Sequence, residues 1–331
     1  VTLPTGATPD TSDAYEPVAV TVRSGHTESV HHGALVVLDS SGQVVVSVGR
    51  IDVPIYPRSA MKPLQATAMV EAGLDLPADL LALACASHDG HAEHVAAARA
   101  ILSRAGLDDS ALANTADLPL DPAQAEAVLR AGGTRSAVQM NCSGKHAAML
   151  LTCVTNAWSH DAGYLAVDHP LQQRITDTVA RLAGDAPSHI GIDGCGAPAH
   201  VVPLIGLARA FASVASGAAG TAGRDVHRAM TTHPTMVGGP TNGVTRFMVA
   251  VPGLMVKDGA EGVYAAALPD GRAVALKVAD GSTRARQVVL AAGLRALGIG
   301  IDTLDPSLWT SPLLGHGARV GEVRLVGRLA G

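Results

Sequence analysis

A serine and a lysine stand three residues apart in "RSAMKP", as Ser59 and Lys62, where a helical pattern begins. Residues at that spacing share one face of a helix, so hydroxyl and amine can come within hydrogen-bond reach. A serine hydroxyl is a weak nucleophile until a base takes its proton, and a lysine amine in a partly dry pocket can be that base. The lysine is itself unusual. Of 24 lysines and arginines in the 331 residues, only Lys62, Lys145, Lys257 and Lys277 are lysines. Arginine serves solubility equally well, but only an ammonium can lose its proton near neutral pH when burial depresses its pKa. Each lysine is therefore a candidate for chemistry.

Ser-x-x-Lys is also the signature of class A β-lactamases and penicillin-binding proteins, and other stretches extend the theme. "LLALACASHDGHAEH" runs apolar and then ends in Ser87, His88 and Asp89. Ser87 is a candidate second hydroxyl with His88, His91 or His94 beside it; Ser87 or Asp89 also suits the N-cap of the helix that "HAEHVAAARA" begins. "QMNCSGKHAAML" sets Cys142 and Lys145 three apart at a helix entry, and "GIDGCGAPAH" holds Cys195 in a glycine-rich turn. Two thiolates from separate segments suit a borderline-soft cation such as zinc. On residue chemistry alone the ligands are Cys142, Cys195 and a histidine such as His146, with Asp193 supporting them. A disulfide, or two buried thiols, accounts for the same pair. Cys85 and Cys153 fall in apolar helical runs and read as core. In "GLMVKDGAEGV", Lys257 precedes Asp258 and Gly259 at a strand edge, a loose match to the Lys-Thr-Gly of β-lactamase-like enzymes; a turn with an exposed lysine fits as well. Lys277 reads as a solvated strand position.

These residues need elements to hold them. "VAVTVRSG" and "GALVVLDSSGQVVVSVG" read as strands with a hairpin at "DSSG". From Ser59 the pattern turns helical, in "SAMKPLQATAMVEAG", "HAEHVAAARAILSRAG", "DPAQAEAVLRAG", "GKHAAMLLTCVTNAW" and "PLQQRITDTVARLAG", several of which stop at glycine. Strands return with "VTRFMVAVP", "GVYAAALPDG" and "RAVALKVADG", before a helix "STRARQVVLAAGLRALG" and a final strand "GEVRLVGRL". The pattern predicts an α+β fold: one mainly antiparallel sheet built from N- and C-terminal strands, with a helical region over roughly residues 59–232 inserted. Residues 1–17 form a polar tail, expected to be flexible, and residues 18–331 one domain.

Composition excludes several classes of partner. A net charge of −5 with no basic run argues against nucleic acid, and aromatics at 2% leave no platform for stacking bases. No apolar stretch reaches bilayer length, and the N-terminal residues lack a basic start followed by an apolar core, so no membrane partner and a cytoplasmic location are expected. Four cysteines in so long a chain make no disulfide scaffold.

In this order, "RSAMKPLQ", "ACASHDG", "NCSGKHAAML", "DGCGAP" and "MVKDG" resemble the class 3, or rhizobial-type, L-asparaginase family over roughly residues 18 to 329. The resemblance implies a β-lactamase-like fold, hydrolysis of L-asparagine to L-aspartate and ammonia, a homodimer, two Ser-Lys pairs, and a zinc ion held by two cysteines and a lysine. Carried over by motif, Ser59 pairs with Lys62 and Ser87 with Lys257, while Cys142, Lys145 and Cys195 hold the metal. Arg58, His88, His146 and Asp193 are left to bind substrate or support the metal. A glutaminase or other amidohydrolase on the same fold, and a non-catalytic zinc-stabilised amide-binding module, are the alternative readings.

Overall fold

Residues 13–330 are described by the computed structural model. β1 (Glu16–Arg23) and β2 (His26–Leu38) form an antiparallel hairpin. Its turn residues Ser24 and Gly25 both have positive φ, 48° and 84°, the backbone twist that tight hairpins require. β3 (Val44–Val48) returns along β2, and the short β4 (Pro54–Ile55) leads into a 3₁₀ turn, Arg58–Met61. Helices follow: α1 (Lys62–Glu71), α2 (Ala78–Ala84), α3 (Ala92–Arg104), α4 (Pro122–Arg130), α5 (Ser143–Thr155) and α6 (Pro170–Ala183). The hairpin β5 (His189–Ile192) and β6 (Pro198–Pro203) interrupts them, before α7 (Leu204–Ser216), α8 (Gly220–Thr232), α9 (Pro234–Gly238) and α10 (Gly243–Ala250). The chain ends with β7 (Met255–Gly259), β8 (Val263–Ala267), β9 (Ala273–Val278), α11 (Thr283–Ala296), β10 (Pro312–Gly315) and β11 (Ala318–Leu325).

The main sheet runs β10-β11-β1-β2-β9-β8-β7, with β3 also on β2, and every pairing is antiparallel. It is therefore assembled from both ends of the chain, as expected. Helices α7 and α11 pack on its middle strands, and residues 33–38 of β2 are accordingly buried without alternation. Helix α6 shows how local signals act: Pro170 opens it, Leu171, Ile175, Val179 and Leu182 bury one stripe, and Gly184 at φ 85° ends it. Among the described residues no single helix is long and apolar enough to cross a membrane.

Three expectations change. "VTRFMVAVP" was expected as a strand, but residues 243–250 are helix α10, so the helical region reaches beyond 232. Asn242 caps that helix by accepting from the Val244 N–H at 3.0 Å, and Val244, Phe247 and Met248 bury one face at helical spacing. The glycine-rich junction around Cys195 is the β5–β6 hairpin, which with β4 makes a second, small sheet. At the N-terminus, Ala14 is already buried and β1 starts at Glu16; residues 1–12 of the expected tail lie outside the described residues.

Candidate active site

Ser59 sits in the 3₁₀ turn, half-buried, directly after Arg58, whose φ of 53° places a non-glycine residue in the left-handed region. Such a conformation is strained and persists only when the surroundings hold it. Here the Arg58 Nε donates to Asp193 Oδ1 at 2.6 Å, tying the turn to the β5–β6 hairpin. From the other side, the Pro57 carbonyl passes so close to Gly259 that no Cβ fits there. The glycine of "KDG" is thus required by backbone approach, bringing the end of β7 against the Ser59 turn.

Lys62, Lys145 and Lys257 are among the largest fully buried side chains of the protein. Burying an ammonium is unfavourable unless acceptors receive it. Lys62 opens α1 and donates from Nζ to the Ala86 carbonyl and to Ser87 Oγ, the latter at 3.1 Å. Its hydrogen-bonded serine is therefore Ser87, not Ser59. Spacing alone does not decide the partner: the buried amine is drawn to the Ala86 carbonyl and Ser87 Oγ at the end of α2. Lys257, expected to pair with Ser87, instead donates to its neighbour Asp258, to Oδ1 at 2.5 Å and to the carbonyl at 3.0 Å. Arg286 from α11 completes that group, reaching Asp258 Oδ2 at 3.1 Å while lying over the Tyr264 ring. Burial lowers the Lys257 pKa, Asp258 opposes this, and nearby Lys62 adds to the lowering. Burial works against the Asp258 carboxylate, but Lys257 and Arg286 hold its pKa well below the usual range.

The second cluster lies across the same cleft. Cys142, at the head of α5, and Cys195, in the hairpin turn, are both buried and both free. The disulfide alternative is thereby set aside. Lys145 Nζ donates to Cys195 Sγ at 3.2 Å. The Cys142 thiol is held well below its ordinary pKa, first by its hydrogen bond with Cys195; burial opposes, and Lys62 and Lys145 add to the lowering. Cys142 and burial raise Cys195, against the charge of Lys145. Burial would lower Lys145, but Cys195, Cys142 and Asp193 outweigh it and raise its pKa. Asp193 is penalised by burial, yet Lys145 and Arg58 hold it below the carboxylate range.

His146, a ligand on residue chemistry alone, does not join the two cysteines in a three-donor cluster; among the described residues the cluster of that kind is Asp89, His91 and Asp121. Instead His146 Nδ1 is 2.7 Å from the Tyr164 hydroxyl, and burial, then Lys145, push its pKa down to about 4. His88 is buried and bonds Ser143 Oγ at 2.8 Å while accepting from the Gly90 N–H, so it braces the Ser87 turn against α5. Neither Ser87 nor Asp89 caps α3, which His91 precedes with no side-chain cap. Lys277 lies on β9, as expected of a strand position, half-buried and donating to the Glu261 carbonyl.

Arg58, Ser59, Lys62, Lys145 and Asp193 line one cleft, and so does His200, which the motifs did not reveal. Thr176 Oγ1 donates to the Gln172 carbonyl at 2.8 Å, so it accepts from His200 Nε2 at 2.8 Å; His200 Nδ1 is left without a partner. Its only sequence signal is a position five residues after Cys195.

A serine facing a cleft with buried lysines, an arginine and a carboxylate suits acyl transfer from a small polar amide. The chain belongs to the L-asparaginase II family, whose model matches residues 19–325. That membership makes it an L-asparaginase-type amidohydrolase with a small-molecule substrate. Among solved structures it is similar to a β-lactamase from Mycobacterium bovis, with 16% identity and a TM-score of 0.48 over 81% of this chain and 95% of the other. Mglu in its native form shows 14% identity and a TM-score of 0.44 over 81% and 65%. EstCE1, a hydrolase with promiscuous acyltransferase activity, shows 13% and 0.37 over 84% and 92%. None of these likenesses bears on the chemistry. Among curated proteins none matches.

Proposed function

We propose that this protein hydrolyses L-asparagine to L-aspartate and ammonia through an acyl-enzyme on Ser59. The observation that carries the reading is the convergence of Ser59, Lys62, Arg58 and Asp193 on one cleft in a chain of the L-asparaginase II family. Lys62 is the base that takes the Ser59 proton while Oγ bonds to the carboxamide carbon. The C–N bond then breaks and the proton passes from Lys62 to the departing ammonia. Water, deprotonated by the same amine, attacks the ester carbon and releases aspartate and the serine hydroxyl. Ser87, hydrogen-bonded to Lys62, relays protons, while the charge of nearby Lys257 acts on Lys62.

Arg58 binds the substrate carboxylate and Asp193 its α-ammonium in this reading, each already oriented by the other. Backbone N–H groups at the Ser59 turn stabilise the developing oxyanion.

Zinc fits the residues across the cleft: two free thiols buried in one small cluster, with a lysine on one of them. Cys142, Lys145 and Cys195 would hold it, and when bound it supplies a fixed positive charge beside the substrate. We further propose a homodimer in the cytoplasm.

Ammonia release is the test, with L-asparagine and L-glutamine offered in parallel to the wild type and to Ser59→Ala. Release from asparagine that vanishes in the variant is expected. Full activity in Ser59→Ala would remove this serine from the mechanism, and preference for glutamine would change the substrate.

A further inference from the structure

The turn after Ser87 carries donors that the amide chemistry does not use. Asp89, His91 and Asp121 bring two carboxylates and an imidazole together, with one ligand atom from each within 4.8 Å of the others. His91 Nε2 is buried without a hydrogen-bond partner. Asp89 is buried, and Oδ1 receives only a long bond from Asn242 Nδ2, at 3.3 Å. Asp121 accepts from the Gln124 N–H at 2.9 Å as the cap of α4. No lysine or arginine among the described residues forms an ion pair with either carboxylate. Burial raises the Asp89 pKa, the Asn242 hydrogen bond and His94 oppose it, and the Asp121 charge adds to the rise.

The frame around these groups is built closely. The Asp121 N–H donates to the Asp89 carbonyl at 3.1 Å. Gly239, at φ 108°, lies against the Asp89 carboxylate where a Cβ would collide, and Gly90, at φ 82°, packs on Pro119. His94 stands edge-on to His91 and stacks on His88; its Nε2 donates to the Thr235 carbonyl at 2.9 Å, and its Nδ1 is buried without a partner. Two carboxylates and an unpartnered imidazole nitrogen, preorganised and lacking a protein cation, form a cation-binding set of nitrogen and oxygen donors. His91 and Asp121 are partly exposed, which leaves an entry path.

We propose that Asp89, His91 and Asp121 form a divalent-cation site, separate from the cysteine cluster, that clamps the Ser87 turn to the head of α4. Lacking sulfur, it accepts harder cations of the Mn²⁺ type, which a thiolate site disfavours. That difference makes the two sites separable. The cation-binding claim stands independently of the proposed chemistry; only its effect on turnover rests on that reading.

The experiment titrates the full, metal-stripped chain with Mn²⁺ alone, following the electron paramagnetic resonance signal of the free ion. One Mn²⁺ per chain is expected. Asp121→Asn, in which the amide oxygen still caps α4, and His91→Gln should each weaken binding by roughly tenfold or more. Cys195→Ser should bind as the wild type does. Circular dichroism selects the variants that fold, and if one fails the other carries the test. No uptake by the wild type, or uptake unchanged in the folded variants, overturns the site, whatever the chain does to asparagine. Uptake lost in Cys195→Ser but kept in Asp121→Asn assigns the ion to the cysteines and also overturns it.

Discussion

Lys62 holds Ser87 at 3.1 Å while Ser59 remains on the cleft wall, so in the proposed chemistry the amine exchanges one hydroxyl for the other as substrate arrives. In that chemistry Ser87 lies on the proton path. Ser87→Ala is expected to lower kcat by roughly 10²-fold with KM less affected, read by steady-state kinetics on asparagine. Unchanged kcat would take Ser87 out of the proton path. His200 supplies a pH dependence. Burial, then Lys145, push its pKa from 6.5 down to about 4, so the folded protein favours the neutral ring and the unfolded chain binds a proton first on acidification. Its stabilising contribution is complete above about pH 6.5 and is lost as pH falls towards 4. Urea unfolding should therefore weaken across that window by up to a few kcal/mol. His200→Gln should flatten the loss; an identical profile in the variant would place the acid sensitivity elsewhere.

Two elements, the 3₁₀ turn Arg58–Met61 and β7, meet at a glycine. Gly259→Ala would push the Pro57 carbonyl away and carry Ser59 with it, so stability should fall by roughly 1–3 kcal/mol, together with kcat. Denaturant melts and kinetics on the same preparation check this, and a variant with wild-type values for both would show that the contact yields freely. Helix α6 was legible because proline, an apolar stripe and a terminal glycine agree. Helix α10 was not, since its Val, Thr and Phe favour strands locally and the deciding contributions are the Asn242 cap and the burial of Phe247 and Met248. The same limit applies to Ser59 and Lys62: spacing can set two residues on one face, but the acceptors that draw the Lys62 amine, the Ala86 carbonyl and Ser87 Oγ, come from a distant segment.

At the scale of the molecule, β1 is an inner strand only because β11 covers it, across almost the whole length of the chain. Removing residues 312–331 would expose β1 as an unpaired edge and strip α11 of part of its packing. The truncated chain should aggregate, seen as loss of soluble protein and a rise in light scattering; a soluble, active truncation would show that β10 and β11 are dispensable.

The residue types and their order were settled by the sequence alone. Lysine is scarce in this chain, and the cysteines and serines recur beside glycines and apolar runs, so Ser59, Lys62, Lys145 and Asp193 could be named from local chemistry, whereas His200 could not. Alternation and apolar periodicity likewise placed a sheet at both ends and helices between, because those patterns report which face of an element is buried. Which groups meet was decided only by tertiary structure. Lys62 and Ser87 are 25 residues apart, and Lys257 with Arg286 joins β7 to α11 through Asp258. Such contacts follow from how helices and strands pack, not from spacing along one of them. The unpartnered nitrogens of His91 and His200 belong to the same category: an unmet hydrogen bond exists only once the fold has removed water from the group.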